Sequence, residues 1–473
     1  MLKRLLACAA LLGSCLALRA ETLPASPLPE FTVVRQLDGI TEYRLESNGL
    51  QVLLMPDHSA PVLTFLVTYR VGSRNEVTGT TGATHILEHL MFKGTPNYNR
   101  EKGNNVDQLL ERSGALYNAT TYLDRTNYYA NLASDQLDMV VGMEADRMRN
   151  LYLRDEDRRP EMTVVRNEFE RGENSPFQAL IKEIGAAAYV AHPYHHSTIG
   201  WRSDIEKVSI EQLRAFYDTF YWPDNATVSV IGDFRDAEAL GSILRHYGRI
   251  PRAPKPIPQV YTEEPAQSGP RRVTVKRAGE LGVVAIGFKT PNALHKDSAA
   301  VEVLSQILSD GKNSRLYRTL TDKSLTTSVS AFNGSFRDPW LCLFFASLTP
   351  GTTHEQVEKA LLQEVETLKR DGVTQTEVDA AVAKTLASLS YGRDGSFAIA
   401  SALNEAIASG DWTLYVTQAA AYRAVTPADV QRVAREYFNE DQSTTGWFIP
   451  KKAAAPAPAP KPAAAPAAAP ATR

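Results

Sequence analysis

The sequence predicts an α+β protein built from two homologous α/β sandwich domains, each a mostly antiparallel sheet covered by helices. Three observations predict it. Short apolar runs bounded by turn residues alternate with helix-like stretches along residues 30–449. Residues 250–271, opening Ile-Pro-Arg-Ala-Pro-Lys-Pro-Ile-Pro, form a proline-rich linker between segments 30–249 and 272–449, each of ordinary domain size. The two segments also look like copies at a constant offset of 217, with Ser209-Ile-Glu-Gln-Leu213 through Asn225-Ala-Thr227 lining up with Thr426-Pro-Ala-Asp-Val430 through Gln442-Ser-Thr444.

The elements follow in chain order. Met1-Leu-Lys-Arg4, then Leu5–Leu18 and Arg19-Ala-Glu21, has the charged start and short apolar core of a secretory signal, residues 1–20, cleaved after Ala20. The expected location is therefore periplasmic or secreted. Leu12-Gly-Ser-Cys15 offers lipoprotein processing as the alternative, but the apolar run continues past Cys15 to Leu18, which favours the soluble product. No other stretch has about 20 consecutive apolar residues, so no membrane span is expected. Val52-Leu-Leu-Met55 and Val62–Val71 read as strands joined by a turn at residues 56–61. Thr84–Thr95 reads as a helix with Ile86, Leu87, Leu90 and Met91 facing a core, stopped by Gly94 and Pro96. Ala115–Tyr122 and Thr126–Ala130 look like paired strands with Asp124-Arg125 at the turn, and a further helix opens at Pro160. Leu341-Cys-Leu-Phe-Phe345 reads as a buried strand, making Cys342 inert core and, after processing, the one cysteine left. Residues 450–473 alternate Ala and Pro and cannot bury a core. Of the 51 basic residues, three lie in the leader and four beyond residue 449, so the body carries a net charge of −10 against 54 acids. An acidic body gives no reason to expect nucleic acid.

The most informative segment is His85-Ile-Leu-Glu-His89. Residues three and four apart are neighbours on a helix surface, so His85 and His89 can reach one cation with Glu88 aimed at the same place. Two imidazoles are a typical zinc pair, and a catalytic zinc wants a third protein ligand plus an open position. The pattern is the mirror of His-Glu-x-x-His, the inverzincin motif. The plain alternative is a polar cluster on an exposed helix face.

With Phe92-Lys-Gly-Thr95, Gly114-Ala-Leu-Tyr-Asn-Ala-Thr-Thr121, Val164-Val-Arg-Asn-Glu168, His192-Pro-Tyr194 and Tyr221-Trp-Pro-Asp-Asn-Ala226, this motif makes the chain resemble the pitrilysin/insulinase family of zinc peptidases. The resemblance is specifically to half-size members related to the mitochondrial processing peptidase, and it covers nearly all of residues 30–449. It implies a zinc-dependent endopeptidase cutting peptides or unfolded polypeptides inside a clamshell chamber. It implies Glu168 as third metal ligand, 79 residues beyond His89, with Glu170 the competing carboxylate. It implies Glu88 as general base and acid and Glu161 as a supporting site glutamate; the other reading of Glu161 is an acid favoured in a first helical turn. It implies that Asn118 and Ala119, on an edge strand, dock the substrate backbone as an added strand. Asn118-Ala-Thr120 also fits a glycosylation sequon.

His192, His195 and His196 invite a second metal, but Pro193 breaks the spacing, and the resemblance implies a loop over the cleft. Gly311-Lys-Asn-Ser314 lacks the glycine spacing of a phosphate loop. The offset of 217 puts His85 on Glu302, Glu88 on Ser305 and His89 on Gln306, so the second half repeats the architecture without the metal set. The chain departs from the family at an arginine–tyrosine pair that steadies the substrate carbonyl, because the aligned positions are Thr321 and Thr327. Either Arg315, Tyr317 or Arg318 substitutes, or a metal-free homologous subunit supplies the pair in a heterodimer; a homodimer is also compatible. A non-catalytic binding or assembly subunit is the alternative to an enzyme, and the intact His85, Glu88, His89 and Glu168 argue against it.

Overall fold

The computed structural model describes residues 23–451. The expected leader, with Cys15, and the tail from residue 452 lie outside the described residues.

The first half runs β1 (Phe31–Leu37), β2 (Ile40–Leu45), β3 (Gln51–Pro56), β4 (Val62–Tyr69), α1 (Ala83–Leu90), α2 (Val106–Arg112), β5 (Leu116–Thr121), β6 (Thr126–Ala133), α3 (Leu137–Arg149), α4 (Asp155–Glu173), α5 (Pro176–Ala188), α6 (Arg202–Lys207), α7 (Ile210–Phe220), β7 (Ala226–Gly232) and α8 (Asp236–Tyr247). The second runs β8 (Arg271–Ala278), β9 (Val283–Thr290), α9 (Ser298–Ser309), β10 (Thr326–Asn333), β11 (Trp340–Leu348), α10 (His354–Asp371), α11 (Gln375–Tyr391), α12 (Ser396–Ser409), α13 (Leu414–Arg423), α14 (Pro427–Tyr437) and β12 (Ser443–Lys451).

Each half carries one sheet, ordered β1-β2-β3-β7-β4-β6-β5 in the first and β10-β11-β9-β12-β8 in the second. Read from the other end, the second order matches β3-β7-β4-β6-β5. Both sheets are antiparallel except for one parallel pair, β3 with β7 and β8 with β12. The repeat seen at offset 217 is therefore a repeat of topology, to which the first half adds a β1–β2 hairpin. That hairpin turns at Asp38-Gly39, both at positive φ (50° and 79°), the conformation a tight two-residue hairpin requires. The strands flanking residues 56–61 do not pair with each other, because β7 lies between them.

Central strands are apolar on both faces, and each face has its own cover. Val52, Leu54, Phe65 and Val67 pack under α1, α3, α7 and α8, while Val284, Ile286, Phe288 and Phe344 pack under α9, α10 and α14. The opposite faces are covered reciprocally. Helix α12 of the second half lays Ile399, Leu403 and Ile407 on Leu53, Leu66 and Ile231 of the first sheet. Helix α5 of the first half lays Leu180 and Ile184 on Ala285, Leu343 and Phe345 of the second. Gly446 of β12 permits this approach, since a Cβ there would stand 2.7 Å from Ile184. Burying one such side chain is worth about 1.5–3 kcal/mol, so each exchanged helix is a substantial tie between the halves.

Helix α4 begins at Asp155, five residues before the expected start at Pro160. Asp155, Glu156 and Asp157 occupy its first turn, where the helix dipole favours acids, and Asp155 pairs with Arg158 and Arg159. Pro160 sits inside, at the loss of one backbone donor. Strand β12 reaches Lys451, two residues into the stretch expected to be tail.

Candidate metal centre

Helix α1 is anchored at its start by a residue outside it. Gly82, at φ +88°, offers no side-chain cap, and Glu76 takes that role from six residues upstream. Its two carboxylate oxygens accept the N–H groups of Gly82 and Thr84, each at 2.8 Å. Glu76 is fully enclosed, and burial pushes its carboxyl up to about 8, against the pull of those two N–H groups. The approach to this corner is tight: a Cβ at Gly200 would stand 2.4 Å from the Thr81 carbonyl. Asp204 adds a bond from Thr81 Oγ1 at 2.7 Å. At the other end α1 stops at Leu90, shorter than expected, and Gly94 turns the chain at φ +110°. Ile86, Leu87 and Leu90 are buried on the sheet, which leaves His85, Glu88 and His89 together on the open face.

Helix α4 brings Glu168 to the same point. His85 Nε2 lies 3.3 Å from His89 Nε2 and 3.4 Å from Glu168 Oε2, and His89 Nε2 lies 3.6 Å from that oxygen. Two ligand atoms about 2.0–2.1 Å from a tetrahedral zinc are about 3.4 Å apart, so the three donors are spaced as one zinc would space them. This is the one such His/Cys/Asp/Glu group among the described residues. Burial holds the His85 imidazole down to about 3, keeping it in the neutral form that ligates metal. Burial also lowers His89, but Glu161, Glu168 and Glu88 outweigh it and raise the group above the usual histidine value. Glu161, two turns before Glu168 on the same face, accepts from His89 Nδ1 at 2.9 Å and pairs with Lys93. Those partners, His89 first, hold its carboxyl down to about 2. Glu170 is exposed, faces Arg202 at 3.7 Å and is not part of the donor group.

Glu88 stands beside the donor set without joining it. Its Oε2 accepts from Thr121 Oγ1 at 2.5 Å, and burial raises its carboxyl above the usual range. Thr121 ends β5, the outermost strand of the sheet, so the free carboxylate is tied to that edge. Asn118 is exposed there. The Ala119 N–H bonds to Asn118 Oδ1 at 2.9 Å rather than across to β6, so it belongs to the open side of the strand.

The His192–His196 segment is a structural joint. His192 Nε2 lies 3.0 Å from Asp338 of the second half, to which Arg74 also binds, and Tyr194 donates to the buried Asp124 at 2.7 Å. Glu264 of the linker accepts the N–H groups of Val190, Ala191 and His192. In the second half, Gln306 donates to Glu302 at 2.7 Å and Asn333 to the other oxygen of Glu302 at 2.9 Å, so the positions equivalent to the ligands satisfy each other. Arg315 is bound to Glu377 at 2.7 Å and to the Gly372 carbonyl, and Arg318 to the Asn313 carbonyl. Thr321 bonds Thr326, and Thr327 the Ser347 carbonyl.

Thr121, Glu76 and Lys93 were not singled out in the sequence. Lys93, four residues after His89 on the same face, carried a spacing signal; Glu76 and Thr121 carried none.

Residues 51–201 match the family model described as Insulinase (Peptidase family M16), and residues 207–385 match the Peptidase M16 inactive domain. The chain is 33% identical over 408 residues to a zinc protease PqqE of Helicobacter pylori, covering 85% of this chain and 91% of that protein. It is 24% identical over 427 residues to the probable mitochondrial-processing peptidase subunit beta of Arabidopsis thaliana, covering 88% and 80%. A solved protease from Helicobacter pylori superposes with a TM-score of 0.83 at 33% identity, over 88% of this chain and 100% of that one. The periplasmic protease PqqL from Escherichia coli shares the fold at a TM-score of 0.72 and 18% identity, over 90% of this chain and 50% of that one.

Proposed function

Because the chain belongs to the insulinase (M16) peptidase family, we propose that it is a zinc-dependent endopeptidase. Its substrates are peptides or unfolded polypeptides, and it works with a metal-free homologous subunit. The observation that carries this reading is the convergence of His85, His89 and Glu168 at 3.3–3.6 Å with Glu88 free beside them. Zinc held there supplies Lewis acidity that polarises a peptide carbonyl and eases ionisation of an attacking water. The rest falls to the chain. Glu88 takes the proton from the attacking water and returns it to the leaving amine, its raised affinity for a proton suiting both halves of that task. Thr121 holds the Glu88 carboxylate in place, and Glu161 orients His89. The open edge of β5 takes the substrate backbone as an added strand, with Asn118 Oδ1 giving up the Ala119 N–H to it.

The partner follows from the second half. Arg315 and Arg318, the arginines nearest the expected positions, are bonded to internal acceptors, which favours another chain as the source of the cation for the substrate carbonyl. The signal-like first 20 residues favour a periplasmic location. Among the described residues no helix is long and apolar enough to cross a membrane.

Glu88→Gln tests the proposal. The variant keeps its shape and its zinc, because no ligand is altered, and loses hydrolysis of a quenched peptide by about 10²-fold or more. A metal assay and a turnover assay on one sample decide it, and substantial turnover would remove Glu88 from its role.

A further inference from the structure

A second polar cavity opens on the face of the first sheet opposite α1. It holds about 560 Å³, within the usual range for a small-molecule site, and it lies where the β2–β3 strands, the linker and the α12–α13 connection meet. Strand register builds its floor: Arg44 stands beside Gln51 and Gln51 beside Thr227, with Arg70 just beyond the end of β4. Arg252 comes from the linker and Arg337 from the β10–β11 turn, so three separate parts of the chain each contribute a guanidinium.

The charges in the wall do not balance. Five arginines line the cavity against three carboxylates, Glu42, Asp224 and Asp411. The carboxylates are already engaged. Glu42 accepts from Gln51 and from the Trp412 indole, each at 2.7 Å, and lies 3.7 Å from Arg35. Asp411 faces Arg35 at 3.4 Å, and Asp224 accepts the Ala253 N–H. Arg70 reaches only neutral oxygens: Thr227 Oγ1 at 2.8 Å, the Asp224 carbonyl at 3.1 Å and Gln51 Oε1 at 3.2 Å. Arg252 hydrogen-bonds only to the Glu46 carbonyl. Among the described residues Arg44, Arg70, Arg252 and Arg337 all lack a carboxylate partner. Burial, with the charge of Arg337 adding to it, outweighs the nearby Asp224 and Glu42 carboxylates and drives the Arg70 guanidinium down to about 10. The two carboxylates near Arg70 are shared with other donors, and a sunken cation beside a second cation gains from a further counter-charge between them.

We propose that this cavity binds a multivalent phosphate-type oxyanion, held by Arg44, Arg70, Arg252 and Arg337. Guanidinium groups suit such an anion because each offers paired, planar donors matching two oxygens. The ligand would bridge both halves and the linker, on the far side of the sheet from the zinc ligands. A free phosphate and the phosphate chain of a larger molecule share this chemistry.

Calorimetric titration of the zinc-loaded full chain with orthophosphate and with diphosphate tests the site. Saturable binding that weakens as salt is added is expected, because the contacts are ionic. Losing one charged hydrogen-bonding group typically weakens binding about ten- to a hundredfold, and Arg44→Gln and Arg337→Gln should each do so while leaving zinc content and basal peptide hydrolysis unchanged. Diphosphate binding well above orthophosphate assigns the site to a phosphate chain; comparable binding assigns it to free phosphate. Absence of saturable binding, or binding equal in wild type and both variants, overturns the proposal, the latter because it reports sequestration of zinc rather than occupation of the cavity.

Discussion

Glu161→Gln probes how much of the metal affinity comes from outside the ligand set. In the native site Glu161 accepts from His89 Nδ1 at 2.9 Å and is itself paired with Lys93, with its side chain 12% exposed. Its carboxyl, held down to about 2 by His89 and Lys93, is charged throughout the neutral range. A hydrogen bond to a charged group contributes about 1.5–3 kcal/mol, and glutamine retains an acceptor but not the charge. The expected loss is therefore about 10- to 100-fold in zinc affinity, the range usual for partners of ligating histidines. Competition against a chromophoric chelator at pH 7 measures it. Turnover at saturating zinc should recover most of the wild-type value, because neither a ligand nor the Glu88 base has been removed. Unchanged affinity would show that the His89–Glu161 contact does not support the metal. Failure to recover activity at saturating zinc would mean that Glu161 acts in the chemistry itself.

Glu168→Gln should lose more zinc affinity than Glu161→Gln, since a ligand is altered, while Glu170→Gln should leave it unchanged; metal analysis of the three variants ranks them, and a reversed order would place the third ligand two residues away. Glu76 binds a proton more tightly folded (about 8) than at its ordinary value of 4.5, so its contribution to stability is present below pH 4.5 and lost as pH rises through 8. Thermal melts between pH 5 and 8.5 should thus fall more steeply for wild type than for Glu76→Gln; parallel curves would refute the assignment. The isolated chain should turn over peptides weakly, by about 10²–10³-fold if one carbonyl-stabilising donor is missing, and regain activity on titration with a metal-free homologous subunit. Full activity of the chain alone would end the case for a partner.

How far the site could be read in advance depended on range. His85, Glu88 and His89 are local: helical spacing alone puts them on one face, and the structure keeps them there. Glu168 is far along the chain, and nothing but the resemblance of its surrounding segment pointed to it. Thr121 and Glu76 reach the centre through the fold, as a strand end and a buried cap, and threonine and glutamate at such positions carry no pattern of their own. Pro160 looks like a first-turn residue, but Asp155, Glu156 and Asp157 form the first turn of α4 because three consecutive acids suit the N-terminal end of the helix dipole. Asp38-Gly39 between two extended runs was a hairpin signal open to reading. The covering of each sheet by the other half's helix was not readable. Periodicity says that Ile399, Leu403 and Ile407 share an apolar face, but not which sheet that face meets.

Helices α5 and α12 are equivalents in the repeat, and each lies on its counterpart's sheet. That arrangement has the geometry of a domain-swapped dimer whose two subunits have been joined end to end. A single half, cut free at the linker, would carry a helix with no sheet to cover and a sheet face, Leu53, Leu66 and Ile231, with nothing upon it. The smallest unit able to close its own surfaces is thus a pair of halves, and a protease nick between residues 250 and 271 would leave that pair clasped together. The second half serves as scaffold as much as companion: the sheet beneath His85, His89 and Glu168 is incomplete without it.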